Sequence, residues 1–385
     1  MKKTLLLVAL AVILAAPAFA YHDGGVAHCN GCHTMHNSQN GVPMNVPTGG
    51  AGQLPVGQGY TNLLLYANKT DVCLDCHDGG EAYHVWSPDP KAPTYSAERG
   101  GGDFTFLEET NIYDGHGGST DPILGESAGH SVISGIHNTV ADSVLTTAPG
   151  GVYPAADMAC TSCHDPHGTG SYRLLYQSGQ VSAYSSGDVN WNATWVADGI
   201  GTRAGAETDT NHNAYISGSG EWCATCHEGI HLGGTGSFVH PAGEQGYFDL
   251  HEAQVYNSYR GTSDCIDNPP NGGPCGSGTG VDAYYALTPF EDGSAVTDST
   301  LGPTGVSKVV CVSCHRAHAT SGPDAGRWDF SITFLEEDGL ESGSWAMPGG
   351  SYEDVNQRSL CNKCHSKDEF DVDERESGSP ADPKQ

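Results

Sequence analysis

Hydrophobic residues are spread thinly along this chain of 385 residues, apart from one run near its start, "LLLVALAVILAA". Beyond that run, long stretches with a 3.6-residue apolar period are scarce. Only 37% of the residues are hydrophobic, and Gly and Pro together make up about a fifth of the chain. The pattern predicts a mostly irregular, loop-rich fold with short helices and a few short strands, without a conventional apolar core.

The two ends of the chain differ from its body. Residues 1–20 have the features of a secretory signal peptide, with Lys2 and Lys3 before the apolar run and small residues before the cleavage site. Residues 367–385 are charged and poor in apolar side chains, so we predict a disordered acidic tail. Residues 21–366 are expected to form one domain. No other segment is long and apolar enough to span a bilayer, so we expect a secreted protein without an integral membrane segment.

The most informative pattern is Cys-x-x-Cys-His, the attachment sequence of c-type haem, in which both thiols bind the porphyrin and the imidazole binds the iron. It occurs six times, whereas chance placement of 14 Cys and 19 His would give on the order of 0.025 copies. Zinc sites and redox dithiols also use Cys-x-x-Cys, but neither needs a histidine directly after it every time. We therefore predict six covalent haem c groups. The attachment cysteines are Cys29, Cys32, Cys73, Cys76, Cys160, Cys163, Cys223, Cys226, Cys311, Cys314, Cys361 and Cys364. The proximal iron ligands are His33, His77, His164, His227, His315 and His365.

Six haems also account for the thin apolar composition. The porphyrins would supply the buried apolar mass, and the chain would wrap around a linear haem chain with a short helix at each motif. The first cysteines of successive motifs are between 44 and 88 residues apart, which is too irregular for stacked identical units. The glycine-rich ranges 41–59 and 178–220 are expected to be surface loops.

Two cysteines, Cys265 and Cys275, stand outside the haem motifs. They bracket "IDNPPNGGP", whose turn-forming residues would allow the two sulfurs to meet. In an exported protein a disulfide is the leading interpretation, with spare thiols or a metal site as the alternatives.

The charge of the chain limits its partners. The net charge is −30, and removal of Lys2 and Lys3 takes it to about −32 before the haem propionates are added. Nucleic acid and anionic membranes are poor partners for such a surface. The charge keeps the protein soluble, and a sharper interpretation is an outer surface that meets metal ions or minerals. Carboxylate pairs such as Glu108 and Glu109 are expected to be solvated and not catalytic.

The second axial ligand decides what each haem does, because an iron with one histidine binds substrates whereas an iron with two only passes electrons. Thirteen histidines lie outside the motifs, so six are available for distal ligation. His36, His167 and His318 follow an attachment histidine by three residues, and His231 follows one by four. The haem on the first imidazole occupies the adjacent space, so each of these must serve a different haem. The alternative is a hydrogen bond to a haem propionate.

A resemblance extends through most of the chain beyond residue 20. It is carried by "YHDGGVAHCNGCHTMHNS", "TTAPGGVYP", "CTSCHDPHG", "EWCATCHEGIH", "HPAG", "CVSCHRAHA" and "QRSLCNKCHSKD". These segments resemble the outer-surface hexahaem c-type cytochromes of metal-respiring bacteria, whose subunits polymerise into conducting filaments called cytochrome nanowires. Residues 41–68, 172–214 and 324–356 match weakly, and the Cys265/Cys275 pair has no counterpart in that family's pattern.

The resemblance implies two histidines on every iron, a haem chain along the subunit with alternating parallel and T-shaped contacts, and one ligand donated between subunits. The distal candidates in matching contexts are His22, His36, His84, His130, His167, His231, His240 and His318. These are two more than six haems need, and His22 and His231 are the first to be dropped. In that family the histidine matching His36 ligates the fifth haem of the next subunit, here the haem on Cys311 and Cys314. The other histidines, His28, His116, His137, His212 and His251, are expected at the surface or beside propionates.

We therefore predict an electron-transfer protein, not an enzyme, that assembles into a homopolymer filament at the outer cell surface after transit through the periplasm. Redox-partner cytochromes would supply electrons, and an external acceptor such as a metal oxide would take them. The alternatives are a soluble periplasmic multihaem shuttle and a multihaem oxyanion reductase. The reductase would need one haem with an open or lysine-held position.

Overall fold

The computed structural model describes residues 29–47, 52–79, 84–88, 101–108, 128–167, 171–178, 180–183, 188–191, 196–201, 211–231, 240–258, 288–320 and 322–327. Several sequence predictions fall outside these ranges: the signal peptide, the tail, the Cys265/Cys275 pair, His22, and the sixth motif with Cys361, Cys364 and His365. They stay predictions.

Regular structure is short and local, which confirms the predicted fold class. The α-helices are α1 (Lys69–His77), α2 (Ser219–His231), α3 (Leu250–Ser258) and α4 (Cys311–Cys314). Short 3-10 helices cover Cys29–Gly31, Thr61–Leu63, Phe104–Leu107, Ala155–Asp157, Cys160–Ser162, Tyr172–Leu174, Gly243–Gln245 and Pro323–Ala325. Within the described ranges, no helix has both the length and the apolar character needed to cross a membrane.

Each of the five described haem motifs lies on one of these helices, as predicted. Side-chain caps explain why the helices form there. The Asn68 side chain accepts a hydrogen bond from the Asp71 amide at the start of α1 (2.8 Å), and the Ser313 hydroxyl accepts one from the Val310 amide at the start of α4 (3.1 Å). The Ser162 hydroxyl likewise accepts a hydrogen bond from the Ala159 amide (2.9 Å), at the start of the 3-10 helix Cys160–Ser162. A helical turn places the two cysteines of a motif on one side, where both can reach one porphyrin.

Strands occur where loops were expected. β1 (Gln180–Ala183) pairs antiparallel with β2 (Asp188–Trp191), and β3 (Asp198–Ile200) pairs antiparallel with β4 (Ala214–Ser217). The prediction of a surface loop across residues 178–220 is therefore wrong in these four stretches. The Gly- and Ser-rich composition hid short runs of β-forming residues such as "YI" in β4, which cross-strand pairing is enough to hold.

The interior combines a small apolar cluster with many buried polar groups. The cluster consists of Leu74, Trp86, Phe104, Phe106, Leu107, Ala128, Val132 and Ala319. Among the buried polar groups is the Asp71 carboxylate, which accepts hydrogen bonds from the Ser134 hydroxyl (2.7 Å) and the Gly135 amide (3.1 Å) and so ties α1 to the loop after residue 133. The described interior therefore depends on hydrogen bonds more than on apolar packing, as expected for a chain whose haems supply apolar mass.

Candidate haem-binding sites

The five described motifs adjoin one another in the order of the sequence, beginning with two contacts between helices. α1 contacts the helix at Cys160–Ser162, and α2 contacts α4. At the first contact the Cys73 thiol hydrogen-bonds Cys160, which together with burial raises the pKa of Cys73 well above its usual value. At the second, a hydrogen bond with Cys311 and burial raise the pKa of Cys223 in the same way. The second motif therefore adjoins the third, and the fourth adjoins the fifth.

Electrostatic effects between cysteines indicate the two remaining neighbours in the series. Burial raises the pKa of Cys32, and the nearby Cys76 thiol adds to the effect. Burial raises the pKa of Cys163 to about 12, again with a contribution from its neighbour, Cys226. No three Cys, His, Asp or Glu side chains converge as ligands of a single ion within the described ranges.

Four attachment histidines have their Nδ1 atom held by a backbone carbonyl. The pairs are His33 with Asn62 (2.9 Å), His164 with Arg173 (2.7 Å), His227 with Pro149 (2.9 Å) and His315 with Asp324 (2.8 Å). A ring that donates its Nδ1 proton to a carbonyl presents Nε2 as the lone-pair donor. All four histidines therefore have the tautomer and orientation that a proximal iron ligand requires.

Three attachment histidines face a second histidine across a gap that fits one iron. Two imidazoles on the same iron have ring centroids roughly 6.2 Å apart, since each iron–nitrogen bond is about 2.0 Å and each nitrogen lies about 1.1 Å from its centroid. The observed distances are 6.2 Å for His33–His167, 6.0 Å for His227–His130 and 6.4 Å for His164–His318. These pairs fit a haem iron held between them.

The surroundings of two distal candidates favour neutral imidazole, the form that binds a metal. Burial, together with the facing His164, lowers the pKa of His318 to about 3. Burial also lowers the pKa of His130, although a bond to the Ala317 carbonyl opposes the effect. The His130 amide donates to the His318 carbonyl (2.9 Å), so the candidates for two neighbouring haems are fixed to each other.

The remaining described candidates differ in their surroundings. His84 is buried, whereas His36 and His240 are exposed. His231 is buried, and neither of its ring nitrogens has a hydrogen-bond partner; the Glu221 carboxylate lies 3.6 Å from Nε2. A buried imidazole without a partner is rare in folded proteins and fits an iron ligand. His231, which the sequence analysis places among the first to be dropped, therefore has surroundings that suit a distal ligand.

Two histidines expected at the surface or beside propionates make contacts within the fold. His212 is buried, with Nδ1 2.9 Å from the Asn213 carbonyl and Nε2 2.8 Å from the Ser299 carbonyl. His137 stacks on Trp86 with ring centroids 3.8 Å apart. Its two nitrogens lie between the carboxylates of Asp78 and Glu108, at 3.1 and 3.2 Å. The surface prediction is therefore wrong for His212, whereas His137 is partly exposed (16% of its side chain) and its assignment stays a prediction.

Comparisons with known proteins agree with this arrangement. Residues 153–182 match the family model described as a doubled CXXCH motif. The C-type cytochrome OmcS of Geobacter sulfurreducens is 33% identical over an alignment that covers 96% of this chain and 99% of that protein. Cryo-EM structures of OmcS nanowires and of the outer membrane cytochrome S filament, both from Geobacter sulfurreducens, give TM-scores of 0.70 and 0.67 at 30% and 29% identity. Each covers 90% of this chain and 100% of the solved one.

Proposed function

Since the chain belongs to the OmcS family of c-type cytochromes, we propose that it binds six haem c groups and transfers electrons outside the cell as a head-to-tail filament of identical subunits. Bound haem supplies reversible one-electron transfer. The chain attaches the haems through the cysteines of its six motifs, ligates the irons with histidines and spaces the motifs in a row. Redox-partner cytochromes donate electrons to this row of haems, and an external metal or mineral acceptor receives them.

One regularity among the distal candidates carries the filament proposal. His167 and His318 are each the last residue of a Cys-x-x-Cys-His-x-x-His motif. Each faces the attachment histidine of the preceding motif of this type, His33 and His164 respectively. By the same rule, the iron bound by His315 would take its second ligand from the next such motif. The sequence has none after His318, but another subunit offers His36, in the first motif of its own chain. A contact between two different faces of identical subunits propagates into an open filament.

The surroundings of His36 suit such a contact. The chain has no Asp, Glu, Lys or Arg between Asp23 and Lys69, although 16% of all residues are charged and roughly seven would be expected in a stretch of this length. His36 is exposed, its carbonyl accepts a hydrogen bond from the Gly57 amide, and Met35 and Val56 beside it are 75% and 48% exposed. An uncharged, partly apolar surface lets two strongly acidic subunits meet without direct charge repulsion.

A carboxylate placed on this uncharged surface should block assembly. Val56→Glu puts an unpaired charge into each proposed junction, so we expect filament yield to fall by about tenfold or more. Val56→Ala keeps the surface neutral and is expected to form filaments. Val140→Glu is the matched control, because Val140 is exposed (73%) but precedes Asp142 on a segment that already carries charge. Negative-stain microscopy and haem content measure the outcome. Equal losses in Val56→Glu and Val140→Glu would contradict this placement of the contact.

The axial ligands of the irons distinguish an electron-transfer protein from the reductase alternative, because a reductase needs one iron with an open position. We expect every iron to be low-spin with two imidazoles, because the distal candidates outnumber the haems. Low-temperature electron paramagnetic resonance of the ferric filament checks this. A high-spin signal that amounts to about one haem in six, or cyanide binding at that ratio in folded protein, would favour an oxyanion reductase.

A further inference from the structure

The attachment histidines of the first, third and fifth motifs are held by one recurring backbone arrangement. The residue before each histidine accepts, and the residue after it donates, a hydrogen bond to a four-residue stretch further along the chain. We call these stretches the clamp segments; they are residues 62–65, 173–176 and 324–327. The bonds are Leu65 N to Cys32 O (2.9 Å), Thr34 N to Leu63 O (2.7 Å), Tyr176 N to Cys163 O (3.1 Å), Asp165 N to Leu174 O (2.8 Å), Arg327 N to Cys314 O (2.8 Å) and Arg316 N to Ala325 O (2.8 Å).

Every clamp segment begins with two consecutive non-glycine residues in the left-handed region. Their φ angles are 57° and 59° at Asn62 and Leu63, 52° and 55° at Arg173 and Leu174, and 57° and 55° at Asp324 and Ala325. This conformation is unfavourable for L-residues and is tolerated best by Asn and Asp. Arg, Leu and Ala adopt it here only because the surrounding contacts impose it.

The first residue of each left-handed pair supplies the carbonyl that faces Nδ1 of the attachment histidine. At the fourth motif the corresponding acceptor is Pro149, whose neighbour Gly150 has a φ of 70° without any side-chain penalty. The unfavourable left-handed pair therefore occurs in three segments of different sequence. In each segment the carbonyl of the first residue faces Nδ1 of the attachment histidine. This recurrence indicates that the contact with the histidine, and not a local sequence preference, is the reason for the left-handed conformation.

We propose that the left-handed pairs are positioning devices for the proximal ligands of the first, third and fifth haems. They hold a carbonyl on Nδ1–H, which fixes the ring orientation and increases the electron donation of Nε2 to the iron. Stronger donation favours the ferric state, so these irons have lower reduction potentials than they would without the bond. This inference rests on the proposed haem attachment.

Two substitutions at Leu174 separate this role from ordinary packing. Leu174→Gly removes the whole side chain but readily adopts a positive φ, whereas Leu174→Val keeps apolar bulk but resists that conformation. If packing were the role of Leu174, glycine would be the more damaging change. We expect the opposite. In Leu174→Val one haem, which accounts for about one sixth of the absorbance change in a redox titration, should have a higher midpoint potential, and one low-spin ferric signal should shift. Leu174→Gly should match the parent protein in both measurements.

Haem content, measured on the same samples, keeps this test separate from the proposed attachment. A parent protein without covalent haem would refute the attachment itself. Fully loaded Leu174→Val with unchanged potentials and spectra would overturn the positioning role. If Leu174→Val loads haem poorly, Ala325→Val at the fifth motif decides, since it adds only two methyl groups. Ala325→Gly is its control, and unchanged potentials in loaded Ala325→Val would again count against the proposal.

Discussion

His36→Ala should abolish filaments while secretion and haem loading stay intact. His36 is exposed, so its loss costs the subunit little internal packing. The proposed junction, by contrast, loses its iron–imidazole bond, and about one iron in six should gain an open or replaced distal position. Negative-stain microscopy of the secreted fraction counts filaments, and electron paramagnetic resonance counts high-spin iron.

Two controls sharpen the His36 experiment. Gln39→Ala changes an exposed polar side chain nearby and should leave filaments and spin state unchanged. Added imidazole should return the open iron of His36→Ala to the low-spin state without restoring filaments, because a free ligand does not link two subunits. Filaments of parental length from His36→Ala, with all irons low-spin, would refute the assignment and favour a propionate contact for His36. Absence of filaments from the parent protein would favour the periplasmic shuttle.

Removal of the third haem attachment should prevent folding. The motif at Cys160 and Cys163 lies in the middle of the row, with Cys160 beside Cys73 and Cys163 beside Cys226. Only 17 hydrophobic residues are buried in the described ranges, so the porphyrins are expected to provide much of the buried apolar surface. For Cys160→Ala/Cys163→Ala we expect a loss comparable to the whole folding free energy, about 5–15 kcal/mol. Limited proteolysis should show a chain that is digested rapidly.

Thr161→Ala is the matched control for this loss. Thr161 lies between the two cysteines, its buried hydroxyl has no hydrogen-bond partner, and its removal leaves the attachment spacing unchanged. This variant should load six haems and resist the protease like the parent. A compact, resistant product with five haems from the double cysteine variant would contradict the view that the haems form most of the core.

Chemistry that depends on close residue spacing was predictable from the sequence. Cys-x-x-Cys-His requires a turn that brings two sulfurs and an imidazole to one porphyrin, and each described motif lies on a helix that does so. The three-residue offset of His167 and His318 predicted a different haem for each, and in the structure these histidines lie opposite His33 and His164 and not opposite their own attachment histidines. That they serve as iron ligands stays a prediction.

Features set by contacts distant in sequence were not predictable. Nothing local distinguishes Arg173 and Leu174 from ordinary helix formers, because their left-handed geometry accompanies the pairing of residues 173–176 with Cys163 and Asp165. The clamp segments also show that the backbone arrangement recurs at every second motif. The irregular gaps between single motifs gave no sign of this recurrence. The interior position of His212 likewise depends on Ser299, which is far along the chain.

The agreement between sequence order and spatial order has a consequence for biogenesis. If the chain is exported with its N-terminus first, as the predicted signal peptide implies, we expect each described motif to emerge next to the one already in place. One contact that departs from this order lies around residues 128–130, where the His130 ring is 2.7 Å from the Ala317 carbonyl and the Gly129 backbone pairs with Ala319. His130 would therefore emerge early and gain this support only with the fifth motif, so we expect the contact to form late in the maturation of the predicted fourth haem site.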